Sequence, residues 1–178
     1  PILRAQTKGT PKLTVGKVGK TIFGFSGGQY NSGTHTIKIS SSIRPERAAK
    51  TMLHEAVHAA TRNAIVMQYP SRHLRGEVAG VDERSRAAFA RLEEIHRLIG
   101  VHPGAKGKYG STNVLEMITE AFTNPDFQRF MSTVRVPGST KYADLRGKNL
   151  LQSFIDAVKR LLNIRDKGAL TALEEVLE

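Results

Sequence analysis

The hydrophobic period of this chain changes just before Pro45, and that change constrains the fold more than any other feature. Thr34–Ser40 alternates: Ile37 and Ile39 face one way, Thr36, Lys38 and Ser40 the other, which is the period of a half-buried strand. Lys38 on the polar side fits an edge strand. Upstream, Lys12–Gly19 and Thr21–Ser26 are short runs rich in Val, Ile, Thr and Phe, split by glycine, and read as further strands. Gly24–Gly33 holds four glycines with Ser26, Asn31 and Ser32, and reads as a turn-prone loop. From Ile43 onward the apolar spacing is helical.

Pro45 suits the first turn of a helix, and Ala48, Met52, Val57 and Ala60 form one stripe to about Asn63. Tyr69-Pro70-Ser71 breaks it, and residues 71–80 form a polar, basic loop. Asp82 is placed to cap a helix running to Ile99, with Ala88, Leu92, Ile95 and Ile99 on one face and Gly100 as the C-terminal glycine. Residues 100–112 are a glycine-rich loop. A helix is expected from Asn113 to about Thr123. Asn124-Pro125 ends it and opens a short one through Met131, and residues 134–146 form a loop. Two amphipathic helices close the chain, one on Leu150, Leu151, Phe154, Ile155, Val158, Leu161 and Leu162, the other on Leu170, Leu173, Val176 and Leu177. Strands first and helices after is the pattern of an α+β fold. A length of 178 residues fits one domain spanning 1–178, with a basic β-rich part over 1–42, metal-site helices over 43–133 and C-terminal helices over 147–178.

Composition narrows the chemistry. There is no cysteine, so a disulfide framework, a thiolate zinc site and a cysteine nucleophile are all excluded. The net charge of +11 is uneven: residues 1–45 hold seven basic side chains (Arg4, Lys8, Lys12, Lys17, Lys20, Lys38, Arg44) and no acid. Such a segment suits an acidic or nucleic-acid partner, or forms an ordinary solvated surface. No apolar run approaches a membrane span and no secretory leader is visible, which favours a cytoplasmic protein, of a host cell if the chain is an effector. A start at Pro1 rather than Met is what a processed product or excised fragment would show.

The strongest local signal is His54-Glu55-Ala56-Val57-His58. Positions i and i+4 lie one turn apart on a helix face, so two imidazoles reach one Zn²⁺. Glu55, beside the first of them, is placed as general base toward a zinc-activated water. Three fixed residues arise by chance in roughly one chain of this length in fifty, so the motif gains weight from its helical context and from a third ligand. The extended His-containing motif of metzincins would need Gly and His where this chain has Thr61 and Ala64. A carboxylate on a second helix is the other common solution. Glu116 and Glu120 are i, i+4 neighbours that repel unless a cation lies beside them. With Asn113 as N-cap, Glu116 is equally the third-position glutamate of a capping box. Which of the two carboxylates is ligand and which its support stays open.

The stretch Tyr109-Gly110-Ser111-Thr112-Asn113-Val114-Leu115-Glu116-Met117-Ile118-Thr119-Glu120-Ala121-Phe122 resembles the third-ligand segment of the gluzincin family that includes anthrax lethal factor. Asn124–Gln128 and the two C-terminal helices are similar to zincin-like domains of phage-encoded polyvalent proteins. The likeness is sharp over 51–62 and 108–128 and general elsewhere. It implies a zincin-like fold and a zinc metalloendopeptidase in which His54, His58 and Glu116 bind zinc, Glu55 is the base and Glu120 supports a ligand. It also implies Tyr109 as donor to a developing oxyanion, and Thr34–Ser40 as the edge strand onto which an extended protein or peptide substrate adds. Two other readings stand beside it: a nucleic-acid-associated zincin tethered by its basic surface, and a non-enzymatic zinc-binding module of a larger phage or mobile-element protein. His35, His73, His96 and His102 read as solvated or hydrogen-bonded histidines, with His102 sharing the loop of Tyr109.

Overall fold

The computed structural model describes residues 11–18, 20–21, 24–25, 27–66 and 83–161. The chain is α+β and divides into two compact units, Pro1–Val66 and Met67–Glu178. The division falls inside the stretch expected to carry the metal-site helices. No helix among the described residues is long and apolar enough to cross a membrane.

The first unit contains β1 (Lys12–Gly16), β2 (Lys20–Thr21), β3 (Gly24–Phe25), β4 (Gly28–Asn31), β5 (Thr36–Ser40) and α1 (Pro45–Val66). β2 and β3 pair as a small separate ribbon. The other three strands form one sheet in the order β1-β5-β4, with β1 parallel and β4 antiparallel to β5. β5 is therefore the central strand, which corrects the expectation of an edge at Thr34–Ser40. The alternation was real: Ile37 and Ile39 are buried in a cluster with Tyr30 and Ala59. Lys38, however, marks the solvated face of a central strand rather than its edge. Its side chain lies over Gly16, where an added Cβ would sit 3.1 Å from the lysine Cε.

The supposed loop at Gly24–Gly33 holds β3 and β4. The turn after β4 is closed by Asn31, whose Oδ1 accepts from the amides of Gly33 (2.9 Å) and Thr34 (3.0 Å). His35 takes up a left-handed backbone (φ 49°) at its end, and its Nδ1 lies 2.8 Å from the Tyr30 hydroxyl. The buried face of α1 also differs from the expected stripe. Met52 is 44% exposed and Ala48, Val57 and Ala60 are half-buried, whereas Glu55 and Ala59 are buried.

The second unit contains α2 (Glu83–Val101), α3 (Val114–Thr123), α4 (Pro125–Thr133) and α5 (Leu150–Leu161). α2 buries the expected Ala88, Leu92, Ile95 and Ile99. It packs on α5, which buries Leu150, Phe154, Val158 and Leu161. α2 runs through Gly100 to Val101, so the glycine does not end it. The chain turns at His102 instead, whose Nδ1 accepts from Gly104 N at 3.1 Å. The proposed cap Asp82, the basic loop over 71–80, Leu162 and the last amphipathic helix lie outside the described residues. Asn124 links α3 to α4 as expected: its amide donates to Glu120 O (2.9 Å), and its Oδ1 accepts from Asp126 N (3.1 Å).

Residues 134–146 are more ordered than a bare loop. Arg135 bridges to Asn149, and a 3₁₀ turn spans Ala143–Leu145. Within that turn Asp144 accepts from Arg91 Nε (2.8 Å) and Nη2 (3.2 Å) and from the Arg160 guanidinium, tying the turn to both α2 and α5. The Arg91 bonds, helped by Arg160 and opposed by burial, pull the Asp144 carboxyl down from 3.8 to about 2. A carboxyl held low in the folded state stabilises it above the unfolded value, and that contribution fades as pH falls toward about 2. Asp144→Asn is thus expected to cost on the order of 1–2 kcal/mol at neutral pH. It should also flatten the decline of stability between about pH 5 and 2 in urea titrations. An unchanged acid profile would remove Asp144 as its cause.

Candidate metal centre

In the first unit, His54 and His58 project from successive turns of α1 with their Nε2 atoms 3.2 Å apart. Their rings meet edge-on, with centroids 4.8 Å apart and planes at 78°. Two nitrogens bound to one tetrahedral zinc at about 2.0–2.1 Å would lie about 3.3–3.4 Å apart. The observed pair needs only a small adjustment to reach that spacing. Both imidazoles are half-buried, and Glu55 between them in sequence is 7% exposed.

The helix is brought to this position by small residues on both sides. A Cβ on Gly28 would lie 2.7 Å from Thr51 Cγ2 and 3.0 Å from Glu55 Cγ, and one on Gly27 would lie 2.8 Å from Ile43 Cδ1. Only glycine lets the β4 backbone rest against the turn of α1 that carries Glu55. On the helix side Ala56 and Ala59 meet the same cluster. Sequence reasoning missed Gly28 altogether; its one sign was the Gly27-Gly28 pair, taken for a turn. Thr61, buried one turn beyond, donates its hydroxyl to Val57 O at 2.7 Å and so satisfies itself within the helix.

The second unit holds the two carboxylates and the tyrosine. Asn113 caps α3 as expected, with its Oδ1 accepting from Glu116 N at 3.0 Å. That bond uses the Glu116 amide and makes no demand on its carboxylate, whose Oε2 is shielded from solvent. Capping and coordination are therefore compatible at this residue. Glu120, one turn on, is 8% exposed, and its Oε2 accepts from Asn124 Nδ2 at 2.6 Å. Glu120 is thereby braced by the residue that ends its own helix.

Tyr109 is 45% exposed and opens the 3₁₀ turn Tyr109–Ser111, which packs on α3. The turn is held on two sides. Gly110 sits against the Phe127 ring so closely that a Cβ would fall 2.4 Å from Cζ, while His96 Nε2 lies 3.1 Å from Ser111 O. The Ser111 hydroxyl donates to Lys108 O at 2.6 Å. His96 thus has a bracing role that its sequence context did not announce. His102 packs edge-on against Phe130, with centroids 5.4 Å apart, and serves its own turn. His35 pairs with Tyr30, and His73 lies outside the described residues.

The structure thus brings His54, Glu55 and His58 together on one helix, and Tyr109, Glu116 and Glu120 together around another. No protein-family model matches the chain, and neither does any curated protein or solved structure.

Proposed function

We propose that this chain is a zincin-like zinc metalloendopeptidase in which His54, His58 and Glu116 hold one zinc ion. The observation that carries the reading is the spacing of the two imidazole nitrogens, 3.2 Å apart on one face of α1 with Glu55 between them in sequence. His54 and His58 of α1 and Glu116 of α3 each offer an atom of the donor type that a metal takes. Two neutral nitrogens and one carboxylate suit zinc, and three protein ligands leave it an open position. Zinc held in this way supplies Lewis acidity, acidifying water and polarising a carbonyl.

The chain's own residues supply the rest. Glu55 takes the proton from the attacking water and later returns it to the leaving amine. Tyr109, on its braced turn, donates its phenol to the oxygen that gains charge as the carbonyl carbon becomes tetrahedral. Glu120 supports the metal site from beside Asn124. An extended substrate adds not to the central β5 but to an outer strand, and β4 is the outer strand that rests on the Glu55 turn. A protein substrate met in a cytoplasm fits the resemblance to effector proteases.

The test is the metal content of the purified chain by mass spectrometry, with cleavage of a mixed protein substrate before and after chelation. The expected result is one zinc per chain and cleavage that stops when zinc is removed and returns when it is restored. Zinc without cleavage would leave a structural zinc module in place of the enzyme, and a chain that takes up no zinc would end the reading.

A further inference from the structure

We propose that the solvent face of the β1-β5-β4 sheet binds the phosphate backbone of nucleic acid, independently of base sequence. The register fixes what that face carries. Lys12 pairs with Thr36, Thr14 with Lys38 and Gly16 with Ser40 across β1 and β5, and Gln29 of β4 lies opposite Lys38. Paired residues share a face. The side opposite the buried Tyr30, Ile37 and Ile39 therefore presents Lys12, Thr14, Gln29, Thr36, Lys38 and Ser40. Lys12 and Gln29 are exposed and the others half-buried.

The chemistry of this face is one-sided. Its polar side chains are ammonium, hydroxyl and amide groups; the Thr14 and Thr36 hydroxyls donate to Ile37 O and Thr34 O, so the Lys12 and Lys38 ammoniums and the Gln29 amide are the donors that lead toward phosphate oxygens. It bears no carboxylate, and none stands nearby in the chain, since residues 1–45 contain no acid. Gly16 contributes by absence, leaving room for the Lys38 stem to lie along the sheet with its Nζ 3.7 Å from where a Cβ would be.

What the face lacks decides its partner. Among the described residues, the aromatic and aliphatic side chains of these strands all lie on the other side, so the strands give this face nothing to stack on bases and no apolar hollow for the side chains of an acidic peptide. Backbone phosphates of a duplex are a polyanion that needs neither.

The test uses the full chain and a fluorescently labelled 20-base-pair duplex of arbitrary sequence, read by anisotropy across a salt series. Binding should weaken linearly in log–log form with salt, and Lys12→Glu with Lys38→Glu should make the slope shallower by about two and weaken binding roughly tenfold or more. Lys106→Glu with Lys141→Glu, which changes net charge equally in the second unit, should have a much smaller effect. Gln29→Lys adds a charge to the face without removing any group the fold uses, and should tighten binding and steepen the slope. The proposal is overturned by equal losses from both lysine pairs, by no salt-dependent binding of duplex, or by a polyglutamate peptide that binds more tightly through the same lysines. None of these readouts depends on peptide hydrolysis.

Discussion

Glu55→Gln is expected to lower peptide hydrolysis by roughly 10²–10⁴-fold while leaving the zinc content of the chain unchanged. The substitution is chosen for what it conserves. Glu55 is buried, at 7% exposure, and its Cγ would lie 3.0 Å from a Cβ placed on Gly28, close against the glycine backbone of β4. Glutamine fills the same volume there, so the strand and helix keep their contact. Alanine would leave a gap at a packed position and would mix a stability loss with a chemical one. An amide cannot accept the proton that a carboxylate takes from water, and that is the one property removed. His54 and His58, the side chains proposed to hold zinc, are untouched. Zinc content and hydrolysis should therefore separate cleanly, with mass spectrometry reading the first and a cleavage assay the second. Hydrolysis at the parent rate in a zinc-loaded Glu55→Gln chain would mean that the base is another group or that the activity belongs to a contaminant.

The parts of this molecule that were legible in its sequence are those whose cause is local. The start of α3 and the α3–α4 junction were readable because Asn113 and Asn124 satisfy main-chain amides two or three residues away, and nothing distant alters that. The buried stripe of α2 was readable because a regular amphipathic helix has one apolar face to bury. The two imidazoles were readable for the same reason, since i, i+4 spacing is a property of a single turn.

Strand order was not legible, because pairing is non-local. β1 joins β5 in parallel across the whole of the intervening ribbon and β4, and no short-range pattern announces it. The alternation at Ile37 and Ile39 with Lys38 between is the same for an edge strand and for a central strand with one wet face. β4 was lost for a different reason. Two of its neighbours and its first residue are glycine or serine, a composition that signals a turn unless one knows that α1 must approach there. That approach also moved the buried face of α1 away from Met52 and onto Glu55 and Ala59. Gly100 misled in the opposite sense: a helix can carry a glycine in its last turn when the position is open on all sides, as it is here. The braces on the Tyr109–Ser111 turn, His96 at Ser111 and Phe127 at Gly110, are tertiary, and sequence spacing gives no hint of them.

Replacing the side chains proposed to hold the metal singly should separate ligand from support. His54→Ala, His58→Ala and Glu116→Gln are each expected to reduce zinc affinity by well over the roughly 10–100-fold expected when an outer partner of a ligand is lost. Glu120→Gln should stay within that smaller range. Competition with a chromogenic chelator measures all four. The glutamine variants are informative because of where each carboxylate stands. At Glu116 the helix cap is made by the main-chain amide to Asn113, so changing the side chain leaves the start of α3 intact. At Glu120 the oxygen that accepts from Asn124 is kept in glutamine, so the end of the same helix also holds. Zinc lost in either variant then reports coordination rather than unfolding, and circular dichroism checks that the helices persist. If Glu120→Gln strips the zinc and Glu116→Gln does not, the two carboxylates exchange roles while the imidazole pair keeps its own. If both retain it at full affinity, the third ligand lies elsewhere in the chain.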